Sequence, residues 1–68
     1  MDRELAAELM DEIIKVSNQL NVVIHKIEVL SGDELLAMRQ HLGQVMAAHD
    51  KHLFRPIVKQ YPDLDPHL

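Results

Sequence analysis

The chain of 68 residues contains no cysteine, so disulfide bonds cannot stabilise it and no thiol can act as a nucleophile. It has only two glycines and no glycine-rich loop of the kind that cradles a phosphate group. No apolar run approaches the roughly 20 residues that span a bilayer, and the first residues lack the basic and then apolar order of a signal peptide. These absences predict a cytoplasmic protein that is not an enzyme, contacts no membrane and holds no cofactor.

The small size and the acidic balance of the chain limit its function further. A net charge of −4 argues against a dedicated nucleic-acid binder, because phosphate affinity comes from clustered lysine and arginine. Residues 1–68 form one domain, in a size range where a single chain buries little surface. Without disulfides, a metal ion or oligomerisation must supply further stability, and we expect a partner protein.

A heptad pattern of apolar residues fills the first half of the chain. No glycine or proline interrupts residues 2–30, which are predicted to form helix 1, with Asp2 capping its amino end. Met10 and Ile24 widen the apolar stripe beyond a two-stranded seam, which is typical of a helix bundle. The stripe consists of Ala6, Leu9, Ile13, Val16, Leu20, Val23, Ile27 and Leu30.

The segment Ser31-Gly32-Asp33-Glu34 predicts a break between two helices. It has the form of a capping box, in which Ser31 accepts from the Glu34 amide and the Glu34 side chain reaches back to the Ser31 amide. Gly32 tolerates the left-handed conformation that commonly ends a helix. One long helix through this segment is the alternative.

Helix 2 is predicted over residues 32–55, with a less regular stripe. His49 and His52 fall where the heptad expects apolar residues, whereas later apolar residues follow a register shifted by one residue, which indicates a stutter. Pro56 either stops helix 2 near Phe54 or kinks it, so that it resumes as a short turn. Residues 61–68 are predicted to be an extended tail bounded by prolines, which could also fold back, dock as a peptide or fray.

An antiparallel hairpin of these two helices would leave an apolar side exposed on each. The sequence therefore predicts an all-α helical hairpin that forms a homodimeric four-helix bundle. This layout resembles that of the Rop-like hairpin dimers, and the likeness concerns layout only. The residues predicted for the core and the dimer contact are Leu9, Ile13, Val16, Leu20, Val23, Ile27, Leu30, Leu35, Met38, Leu42, Val45, Met46 and Leu53.

The histidines of helix 2 allow three interpretations, and the cations near its carboxyl end allow two. His49 and His52 are three residues apart and could share a metal ion with ligands from a symmetry mate; they could instead form a polar layer in the core or a protonation switch. The basic residues Arg39, Lys51, Arg55 and Lys59 either compensate the helix dipole or contact an anion such as RNA. We rank a protein-interaction or regulatory module first, an RNA-binding regulator second and a metal-binding bundle third.

Overall fold

The fold is a helical hairpin, described by a computed structural model that covers residues 1–68. Helix α1 spans Arg3–Lys26, helix α2 spans Gly32–His49 and helix α3 spans Arg55–Gln60. Short 3₁₀ turns come after α1 at Ile27–Val29 and after α3 at Pro62–Leu64. With 87% of residues helical and no strand, the predicted all-α hairpin is confirmed. The molecule is a rod of 46 × 19 × 16 Å.

The amino end of α1 is capped as the sequence predicts. A carboxylate oxygen of Asp2 accepts a hydrogen bond from the Leu5 amide at 2.8 Å, which satisfies one of the free amides of the first turn. The α-helix ends at Lys26 rather than at residue 30, and the 3₁₀ turn continues the helical path to Val29. Tightening into a 3₁₀ turn is common at the carboxyl ends of α-helices.

The turn between α1 and α2 departs from the predicted capping box. Ser31 is the residue before α2, but its side chain makes no capping hydrogen bond, so this prediction is wrong. Gly32 has φ of 60°, which confirms its predicted left-handed conformation. A capping box requires ordinary helical angles directly after the cap, and the left-handed Gly32 does not meet this requirement.

A π turn over Asp50–Phe54 joins α2 to α3 and carries the helix past Pro56. The Arg55 amide donates to the Asp50 carbonyl, five residues earlier, so the turn contains one more residue than an α-helical turn. In a regular helix the ring of Pro56 would clash with the carbonyl four residues before it. Helix 2 therefore neither stops near Phe54 nor ends at residue 55, but resumes and ends at Gln60.

The hairpin core is largest where the chain ends meet. Ala6, Met10, Ile13 and Ile57 form one buried cluster, and Phe54 packs against it. Of the thirteen residues predicted for the core or dimer contact, three are buried, namely Ile13, Ile27 and Leu42. Five more are half-buried, namely Leu20, Val23, Leu30, Leu35 and Met46. The remaining five are exposed and do not belong to the hairpin core, namely Leu9, Val16, Met38, Val45 and Leu53.

The carboxyl-terminal segment folds back on the amino end of α1 and is not extended throughout. The Tyr61 hydroxyl donates to the Met1 carbonyl at 2.6 Å, and Asp63 forms an ion pair with Arg3. Leu64 packs against the core cluster. Of the alternatives for residues 61–68, the structure shows the folded-back one. No helix of the chain combines the length and apolar character that crossing a membrane requires.

Candidate interaction surface

A row of apolar side chains runs along one edge of α1, beside its contact with α2. Leu9, Val16 and Val23 are seven residues apart within α1, so they lie almost in line along the helix, and Leu30, which follows the 3₁₀ turn after α1, extends the row with the same spacing. Leu9 is 38% exposed and Val16 is 47% exposed, while Val23 and Leu30 are half-buried. This spacing is typical of a helix edge that contacts another helix along its length.

A second row runs along α2 and continues into the π turn. Met38, Val45 and Leu53 are 40%, 48% and 46% exposed, and they are spaced by seven and then by eight residues. The eighth residue falls in the π turn, whose extra residue rotates the later part of the helix by about 100° relative to a regular helix. Leu53 consequently leaves the core that the sequence predicts for it and lies in line with Val45, while Phe54 packs inward.

The two rows lie on the same side of the hairpin. On each helix, the row is rotated about the helix axis in the same sense away from the residues that contact the other helix. Because the two helices run antiparallel, rotations in the same sense bring both rows to one face of the hairpin. At the turn end, Leu30 of the first row and Met38 of the second line one shallow groove of about 340 Å³. We call the seven residues of the two rows the apolar face.

The opposite side of the hairpin carries a groove of about 490 Å³ with a mixed lining. The tail closes one end of this groove, where the rings of Phe54 and His67 lie 6.4 Å apart. Its lining consists of Ile14, Ser17, Asn18, Asn21, Met46, His49, Asp50, Phe54, Pro66 and His67. Sequence reasoning does not find this groove, because only the folded-back tail brings Pro66 and His67 beside α1. Polar and apolar side chains thus line this groove together.

The two histidines proposed as metal ligands have different surroundings. The His49 Nε2 atom lies 2.9 Å from the Ile13 carbonyl oxygen and is engaged within the hairpin, whereas His52 is exposed in the π turn. No three His, Asp or Glu side chains are arranged so that they could hold a metal ion together. A site built on His49 and His52 would need further ligands from another molecule, and it stays a prediction.

The four cations proposed to contact an anion are not equally free. Arg39 pairs with Glu28 at 2.7 Å, and Arg55 pairs with Asp50 at 2.6 Å. Lys51 and Lys59 are exposed and form no ion pair. Because carboxylates neutralise two of the four cations, the patch is less basic than its sequence indicates. Binding of RNA at this patch stays a prediction.

A polar edge flanks the apolar face along α1. Glu12, Gln19 and Lys26 are exposed and seven residues apart, so they form a third row beside Leu9 and Val16. The Lys15 ammonium donates to Glu12 at 3.0 Å, and this hydrogen bond and charge raise the pKa of Lys15. The spacing of the apolar residues does not predict this edge. The same seven-residue spacing among polar residues does predict it.

Comparisons with known proteins do not assign the chain to a family. No family model matches the sequence, and neither the curated proteins nor the solved structures include a significant match. The geometry of the two faces is therefore the basis for a functional conclusion.

Proposed function

We propose that the chain is a small protein-interaction or regulatory module, and that its apolar face packs against a second copy to form a four-helix bundle. The observation that carries this proposal is the alignment of seven apolar side chains on one face, five of them between 38% and 48% exposed. Monomeric proteins scatter exposed apolar side chains, whereas contiguous apolar surfaces mark interaction sites.

The small core of the hairpin supports association. Only six of the 68 residues are buried, and a core of this size seldom supplies more than about 3–5 kcal/mol of net stability. Burying the exposed half of a valine or leucine contributes about 1 kcal/mol. Covering the apolar face on two copies would therefore add stability comparable to that of the hairpin alone, before the cost of association.

The shape of the face favours a helical partner with rows of the same spacing. Seven-residue rows on two antiparallel helices match another pair of rows of the same kind, as in four-helix bundles. A second copy supplies such rows without further requirements, and twofold dimers are the commonest oligomers. The resulting bundle would leave the grooves that Pro66 and His67 line on its two outer sides.

The molar mass in solution tests this proposal. Sedimentation equilibrium over a range of protein concentrations should give twice the chain mass of 7.8 kDa at the higher concentrations. The mass should fall towards that of one chain on dilution. A well-folded monomer at all concentrations would contradict the proposal.

A further inference from the structure

The contacts between α1 and α2 fix which residues lie at the same level of the rod. His49 contacts the Ile13 carbonyl towards the open end, and Arg39 pairs with Glu28 near the turn. Midway between these contacts, residues around Leu20 of α1 lie level with residues around Val45 of α2. This level serves as the reference for the two rows of the apolar face.

Both rows are centred on this same level. The row from Leu9 to Leu30 has its midpoint between residues 19 and 20, and the row from Met38 to Leu53 has its midpoint between residues 45 and 46, beside its middle member Val45. The extra residue of the π turn contributes to this centring, because it places Leu53 in the second row. Because the two rows share a centre, a single twofold axis through that centre brings each row against a reversed copy of itself.

From this coincidence, and resting on the proposed self-association, we infer that the dimer has its twofold axis perpendicular to the helices at the level of Gln19 and Val45. Each α1 then lies antiparallel against the partner's α1, and each α2 against the partner's α2. Val16 faces the partner's Val23, and Val45 faces the partner's Val45 across the axis. Such a contact is isologous, so every pairing between different residues occurs twice, whereas the pairing of Val45 with its own copy on the axis occurs once.

The charges on the edge of the apolar face fit this axis and not an axis parallel to the helices. Reversing the row of Glu12, Gln19 and Lys26 about its centre sets Glu12 against the partner's Lys26. An axis parallel to the helices would instead place each α1 beside the partner's α2 and would leave these charges far apart. The pair of Glu12 with Lys15 is exposed and local, so Glu12 can exchange it for the partner's Lys26.

Single cysteines distinguish the two axes, because the chain has no cysteine of its own. Gln19→Cys places one thiol at the edge of α1 beside the inferred axis, where the partner's copy is adjacent. Gln44→Cys is the matched control, since Gln44 is exposed, lies at nearly the same level and points away from the apolar face. Each variant is treated with a short-spacer bismaleimide and analysed under denaturing conditions, and its mass is measured separately by sedimentation.

The expected result is that Gln19→Cys gives mainly cross-linked dimer, at least tenfold more than Gln44→Cys, while both variants sediment as dimers. Dimeric mass without cross-linking at residue 19 would overturn the inferred axis and leave the proposed self-association standing. Equal cross-linking of both variants would also overturn the axis, since it would reflect random collision. Monomeric mass of both variants and of the unaltered chain would refute the self-association on which the inference rests.

Discussion

Replacing Val45 by aspartate tests the apolar face at its centre. Val45 is 48% exposed, so association can bury about half of its side chain, which is worth about 1 kcal/mol in each copy. Both copies change together at the axis, so the loss is about 2 kcal/mol before any electrostatic effect. Two carboxylates facing each other in an apolar contact add repulsion and desolvation. We therefore expect the dimer dissociation constant to rise by at least about thirtyfold.

Gln44→Asp is the control for this substitution, because it introduces the same residue one position away on the outer side of α2. The intrinsic cost of aspartate in a helix is the same in both variants, and only the position relative to the apolar face differs. Circular dichroism should show similar helix content for the two variants at high concentration, while sedimentation equilibrium gives the dissociation constants. Equal dissociation constants for both variants and the unaltered chain would refute the reasoning.

Three further predictions concern the core, the edge charges and the helix cap. Ile57→Ala should lower the free energy of unfolding by about 2–5 kcal/mol, because Ile57 is only 4% exposed in the core cluster, whereas Leu36→Ala at a 63% exposed site should change it by less than about 0.5 kcal/mol in urea titrations. Glu12→Lys should weaken the dimer about fivefold in sedimentation, and adding Lys26→Glu should restore it; no recovery would argue against the inferred pairing. Asp2→Ala should lower thermal stability by about 1 kcal/mol through loss of the hydrogen bond to the first turn of α1, with no effect on the mass measured at high concentration.

The main features of the hairpin arise from local chemistry that the sequence displays directly. The heptad stripe predicts α1, because only a helix brings residues three and four apart to one side. Asp2 and Gly32 mark the ends of elements through properties of their own, a short acceptor side chain and freedom to adopt positive φ. Pro56 likewise predicts an irregularity near residue 55, because its ring is incompatible with a regular helix at that position.

The features that the sequence does not predict depend on contacts between distant residues. Of the two alternatives at Pro56, a stop or a kink after which the helix resumes, the structure shows the second, since the helix resumes as α3. The sequence does not predict the π turn that precedes α3 or the packing of Phe54 and Ile57 against α1. His49 falls at a core position by pattern, but its role depends on the Ile13 carbonyl, 36 residues earlier. Pro66 and His67 line the groove of about 490 Å³ because the tail returns to α1. Sequence periodicity within one helix contains no information about such pairings.

The position of the amino terminus has a consequence for anything attached to it. The bond from Tyr61 to Met1 and the ion pair of Arg3 with Asp63 hold the amino terminus at one tip of the 46 Å rod, while Pro66 and His67 lie further back along α1. In the inferred dimer the two rods are reversed, so the amino terminus of one copy lies at the opposite tip from that of its partner. Domains fused to the two amino termini would be held apart by about the length of the rod, and the bundle would act as a rigid spacer as well as a joint.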